Sequence, residues 1–427
     1  MRRRDLLAGL SLAPLTVPAV AQCVVPTFPR INLPGRCEAD GGPPPSLDLS
    51  FMTPGTLDPR ITFTRASVGT YFDSAGVMQT AAVNAPRWDY DPSTHELRGL
   101  LIEETRTNLV LQSASLAVAP WTPAGVVVAA PTVTADQVVA PDGTTTAARI
   151  VYPQVIGAGA VSYVRQPITM SAVVYTYSMW LRGAVGGEQV YLLCADAVPT
   201  YHRTLVTLTT SWQRFTMTTG TLTAASWNFG VGTDLRDGTQ TTKPAQTIYA
   251  WGAQLEAGPT PTSYIATTSA AVTRAVDICN ITPLGSWFNA SAGTLLMDFD
   301  ASRPGSTIGG FSSGAFANTL YYTLSSNQLV ANIAGAGTTI AQSGVTPGVP
   351  AKVAASYSAG RLAVSVNGQA PAINATLPAG PYPWTGNLSV GAQPWSLAST
   401  NICGHARRWA YWSSALSNAE MQAISIS

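Results

Sequence analysis

Hydrolysis of a glycosidic bond needs two carboxylates about 5 to 9.5 Å apart across a cleft. One pair in this 427-residue sequence invites that reading. Asp298 and Asp300 lie two apart in TLLMDFD, so a strand there places them on one side, at the lower end of that span. The Glu-x-Asp-x-x-Glu pattern of sandwich glycosidases is absent, and Glu103 and Glu104 are adjacent, which points them to opposite faces. Gly310-Phe311-Ser312-Ser313-Gly314 has nucleophile-elbow spacing, but that device needs a strand before and a helix after. No helix pattern follows, and only His405 lies downstream as a base. His95, His202 and His405 form no cluster, so a transition-metal site is unsupported. No cofactor is implied; a structural Ca²⁺ at Asp298 or Asp300 stays open. The expectation is a chain without catalytic residues, with a hydrolase as the remote alternative.

Aromatic side chains offer a different chemistry. A ring can cover the apolar face of a pyranose while neighbouring polar groups take its hydroxyls. Residues 175–182 alternate: Tyr177, Met179 and Leu181 share one face, and Ser178, Trp180 and Arg182 share the other. Trp180 beside Ser178 and Arg182 is the first candidate platform; the same ring could instead cover a loop or meet a subunit partner. Tyr249, Trp251, Ala253 and Leu255 form an all-apolar face, which reads as core. Trp121, Tyr201, His202 and Trp227 sit beside turns and could line a cleft edge. Tyr382 and Trp384, in a Gly/Pro-rich loop, and Trp395 beyond it make a second candidate patch, or ordinary packing.

These residues need strands to position them, and composition supplies strands. Charged residues are 11% and the formal net charge is +1, which leaves a nucleic-acid partner unsupported. The 37 Gly and 31 Pro are scattered without a collagen period, and Thr, Ser, Ala and Val fill much of the rest. Many short strands and many turns follow, an all-β chain of about three modules by length. Asn367-Gly368 marks a tight hairpin, and Ser417-Asn418-Ala419-Glu420 is a capping box opening a short helix through Ile424. Residues 1–22 have a basic start, an apolar middle and a small-residue end, as an export signal does, and Arg3-Arg4-Asp5-Leu6-Leu7 fits twin-arginine export. That apolar run is too short to span a bilayer. Residues 23–62 are a Pro/Gly-rich arm. The five cysteines have no C-x-x-C spacing, and an odd number leaves at least one free thiol.

Residues 63–109, FTRAS-x-GTYFDSAGV through RGLLIEE-x-RTNL, resemble a segment of phage and prophage virion appendage proteins of the tail-fibre and head-spike type. In that group the segment precedes a carbohydrate-binding-module-like sandwich ending in a motif like IYAWGAQLEAGPTPTSYI (248–265) and TRAVD (273–277). A laminin-G/concanavalin A-like sandwich often follows, and LAVSVNGQ and RRWAYWSSALSNAEMQ are similar to its last strands. The resemblance implies two tandem β-sandwiches behind an extended N-terminal arm. Its parts would be a signal-like or anchoring segment (1–22), an arm (23–62), a β-rich collar (63–109), a first sandwich (110–265), a connector (266–285) and a second sandwich (286–427). First and last strands of such sandwiches lie side by side, so a Cys279–Cys403 disulfide is an option; two buried free thiols are the other. The implied function is a non-catalytic virion appendage that grips bacterial surface glycan, held to other virion proteins by its arm and assembled as a homo-oligomer, with a trimer favoured. An exported bacterial lectin-like protein, periplasmic or secreted, is the alternative, and a polysaccharide depolymerase the second.

Overall fold

Alternating runs become strands throughout. The computed structural model describes residues 44–195, 201–236, 238, 240–333, 337–396 and 401–426. The expectations for residues 1–22, and for the arm up to residue 43, lie outside the described residues. Within them every named strand pairing is antiparallel, and helix is confined to one turn, Phe316–Asn318, and one short segment, Asn418–Ile424. The fold is all-β and built as two sandwiches.

In the first sandwich one sheet runs, in spatial order, Gln213–Thr221, Val174–Gly183, Gln246–Ala257, Ala147–Tyr152, Thr132–Val138. The other runs Tyr201–Thr207, Gln189–Ala195, Ser226–Asp234, Val161–Thr169, Thr122–Val126. Tyr177, Met179 and Leu181 meet Leu192, Phe229 and Val231 between them, as the period-2 pattern requires. The second sandwich packs Leu295, Met297, Phe299, Trp409 and Tyr411 of one sheet against Phe311, Tyr322 and Leu388 of the other. The capping box forms: Glu420 N donates to Ser417 Oγ, and Ser417 N donates to the Glu420 carboxylate.

Sheet pairing does not follow chain order. Leu97–Ile102 and Leu47–Ser50 both pair with Gly404–Trp412, Trp88–Tyr90 pairs with Leu97–Ile102, and Ile61–Thr64 pairs with Ile278–Ile281. The expected arm, through Leu47–Ser50 and the start of Ile61–Thr64, and the expected collar, through Leu97–Ile102 and Trp88–Tyr90, therefore both supply strands to the second sandwich, and neither is a part of its own. Two parts of the collar stretch join neither sheet: the hairpin Gly69–Phe72/Met78–Ala81 and the strand Arg106–Asn108. The first sandwich is carried between Arg106–Asn108 and Val272–Arg274, which pair as a two-stranded neck where the chain leaves and returns. The physical reason is an unfilled edge: Gly404–Trp412 needs a second partner, and the strands that fill it lie far earlier in sequence, Leu101 opposite His405 and Leu47 opposite Tyr411.

The recognisable motif residues converge on this junction as a buried ionic knot. Arg65 of FTRAS, Arg87, Glu103 of LLIEE, and Arg274 and Asp277 of TRAVD are all excluded from solvent. Asp277 binds Arg65 at 3.1 Å and Arg87 at 2.5 Å, and accepts the Glu103 amide at 2.9 Å. Glu103 binds Arg87 at 2.8 Å and Arg274 at 3.0 Å, and accepts the Ser263 amide and hydroxyl at 2.6 Å each. Burying a charge costs several kcal/mol unless it is paired and hydrogen-bonded, so these five residues are fixed as a set. Burial alone would raise the Glu103 carboxyl; Arg274, Arg87 and the Ser263 donors outweigh it and hold it at about 2.

The Cys279–Cys403 bridge is corrected. Both are free, buried thiols. Cys279 points into the second sandwich's core, whereas Cys403, at φ +45° ahead of Gly404–Trp412, faces a cleft outside it.

Candidate carbohydrate-binding surface

The acidic candidates are held by cations. The strand Gly293–Ala301 bulges between Asp298 and Phe299. Asp300 is buried: His405 Nδ1 lies 2.9 Å from its Oδ1, the His405 amide donates to it at 2.8 Å, and Arg98 at 3.1 Å. His405 Nε2 lies 2.9 Å from Asp89 Oδ2. Burial would lower the His405 pKa; Asp300 and Asp89 outweigh it and raise it to about 9. Burial would likewise raise Asp300, but His405 and Arg98 hold it at about 2. Both imidazolium nitrogens are thus occupied by carboxylates. Asp298 stands 3.4 Å from Arg407. Among the described residues no group of three or more His, Cys, Asp or Glu could hold a metal ion. Ser312 ends the strand Thr307–Ser312, accepts the Gly314 amide at 2.9 Å, and is followed by the short Phe316–Asn318 turn in place of an elbow helix.

Most of the expected rings are inside. Trp180 does lie opposite Tyr177, Met179 and Leu181, but the Gly69–Ala81 hairpin covers that face. Trp180 is 4% exposed, edge-on to Trp251 and Tyr264 at 5.6 Å, with the Arg214 guanidinium 4.5 Å above it. Gly252, at φ +66°, lets Trp251 reach this cluster: a Cβ there would stand 2.7 Å from the Trp180 ring. Ser178 is buried and accepts from Arg214 at 2.9 Å. Trp121 and Trp227 belong to the first sandwich's core, their indole N–H groups donating to the Gln112 and Thr223 carbonyls. Tyr382 and Trp384 stack at 4.4 Å within the second sandwich's core. As open platforms these six residues are corrected, because packing has removed them from solvent. The side chain of Tyr201 lies outside the described residues.

Arg182 and Trp395 remain at the surface, each half-buried. Trp395 stands in the turn after Asn387–Val390, fixed by the Asn387 side-chain amide donating to the Pro394 carbonyl at 3.0 Å. Two rings that the sequence reading passed over join it. Tyr321 lies 4.7 Å away at 72°, and Phe316 lies 5.0 Å away at 70°. Phe316 is 52% exposed. Rings near right angles make a corner, one wall for a sugar's face and one for its edge. Asn332, opposite Tyr321 in the sheet, places an amide on the same side. A signal for Tyr321 existed: Leu320, Tyr322 and Leu324 share the inward face of Thr319–Ser325, which forces Tyr321 outward.

No protein-family model matches the chain, and no curated protein matches it. Solved structures match it in part. The CBM40 of the Ruminococcus gnavus IT-sialidase bound to α2,3 sialyllactose is 15% identical, with 32% of this chain and 83% of that chain covered and a TM-score of 0.28. The CBM22 tandem domain of Paenibacillus barcinonensis Xyn10C is 10% identical, covering 71% and 95%, at 0.25. Domains LG4-5 of the mouse laminin alpha1 chain are 12% identical, covering 62% and 90%, at 0.22.

Proposed function

We propose that the chain is a virion appendage of a phage, a fibre or spike, that grips bacterial surface polysaccharide without cleaving it. The observation that carries the glycan part is the corner of Phe316, Tyr321 and Trp395, three rings left at the surface while most other rings among the described residues are buried. Exposed rings cost solvation unless a partner covers them, and a pyranose face is such a partner. Support for the virion part is the resemblance of residues 63–109 and 248–277. Affinity at one corner would be low, and a trimer on a particle multiplies it without new contacts. The alternative, an exported lectin-like protein, draws on the export pattern of residues 1–22 and uses the same corner.

Binding to a panel of capsular and lipopolysaccharide glycans tests the corner. Trp395→Ala is expected to weaken binding about tenfold or more at unchanged melting temperature. Unchanged affinity overturns the corner as the site. Immunogold labelling of particles tests the location: label on virions supports the appendage, and label only in the periplasm or medium replaces it with the lectin-like protein.

A further inference from the structure

A second site lies away from the corner. Between the Gly69–Ala81 hairpin and the two sandwiches runs a cleft of about 990 Å³, within the size of small-molecule sites. Its acidic groups are already engaged. Asp89 and Asp300 hold His405, Glu103 holds the knot, and Asp91 accepts from Ser93 and the Thr94 amide. Two of its guanidiniums are engaged as well: Arg98 binds Asp300, and Arg214 donates to Thr262 O and Ser178 Oγ.

Arg182 differs. It lines the same cleft, half-buried, and among the described residues it has no carboxylate partner and no hydrogen bond. Its Nε is buried and unpartnered. The guanidinium instead lies over two rings, Tyr249 at 5.0 Å and Trp212 at 5.6 Å. Trp212 is itself anchored, its indole N–H donating to Val139 O at 2.9 Å. A half-buried cation placed against aromatic faces, with no carboxylate on its fork, is preorganised for a planar anion. Exposed Ser211 and Gln213 flank Trp212 on the same rim, and half-exposed Tyr71 and Tyr90 line the cleft with it.

We propose that this cleft binds a carboxylate-bearing saccharide, the sugar carboxylate bidentate on Arg182 and the sugar faces on the rim aromatics. Hydroxyls would meet Ser211 and Gln213. The site does not use the Trp395 corner, and it stands or falls separately.

The test is calorimetric titration of the full chain with three acidic probes, namely oligogalacturonate, a glucuronate-containing oligosaccharide and α2,3 sialyllactose, and with the methyl ester of oligogalacturonate. Wild type is expected to bind at least one acidic probe. Arg182→Gln is expected to weaken that binding about 10- to 100-fold, the range for a charge-assisted hydrogen-bonded pair. Methyl esterification is expected to weaken oligogalacturonate binding to wild type alike, which needs no folded variant. No acidic probe bound by wild type, an ester bound as tightly as its acid, or a folded Arg182→Gln of undiminished affinity each overturns the proposal. Acidic-probe binding lost with Trp395→Ala but not with Arg182→Gln assigns the ligand to the corner and likewise overturns it.

Discussion

Replacing Glu103 by Gln removes one charge from the knot while keeping its shape. The folded carboxyl sits at about 2, held there by Arg274, Arg87 and Ser263. An unfolded glutamate titrates at about 4.3. At about 1.4 kcal/mol for each tenfold in proton affinity, the gap is worth about 3 kcal/mol at neutral pH. A carboxyl depressed in the fold stabilises above its unfolded value and loses that contribution as pH falls toward its folded value. Wild type should therefore exceed Glu103→Gln by about 3 kcal/mol at pH 7 and by about half that at pH 3. Urea denaturation followed by tryptophan fluorescence reads both differences. Near neutral pH the loss corresponds to a melting point lower by about 6–12 °C for a unit of sandwich size. A difference that is the same at both pH values, or one below about 1 kcal/mol at pH 7, refutes the knot as an electrostatic device.

Two further perturbations probe the same junction. His405 is raised in the fold to about 9, so its contribution is complete below about pH 6.5 and is lost as pH rises through 9. The stability gap between wild type and His405→Gln should therefore narrow by more than half between pH 6 and pH 9.5, and a gap that stays flat in denaturation curves refutes the doubly paired imidazolium. Trp180→Ala should cost about 3–5 kcal/mol, the range for deleting a buried large aromatic, while leaving glycan affinity at the Trp395 corner intact. A variant as stable as wild type would show that Trp180 is not packed as described.

Period and punctuation made the strands legible. The alternation at 175–182 placed Tyr177, Met179 and Leu181 in the core, and the capping box at Ser417 gave the one helix its start. What alternation cannot say is whether the opposite face is open. Trp180 lies on that face and is covered, because the hairpin that covers it comes from a hundred residues earlier. Tyr382 and Trp384 failed as platforms for a similar reason: Pro and Gly around them signal a loop, but a loop can fold its rings inward. The pairing of Leu47–Ser50 and Leu97–Ile102 with Gly404–Trp412 was hidden too, since an open sheet edge leaves no local mark in sequence.

The carboxylates of the knot, Glu103 and Asp277, are each paired with two guanidiniums, and Arg65 and Arg87 also donate to backbone carbonyls, which commits these groups to one another. Surface rings carry the opposite logic. Phe316 and Trp395 keep exposed area that packing within the chain does not claim, and Arg182 keeps a fork that no carboxylate claims. In a chain with only 11% charged residues, a partly buried cation without an anion is a conspicuous expense of solvation. The site has to be sought where a group's physical requirements are left unmet.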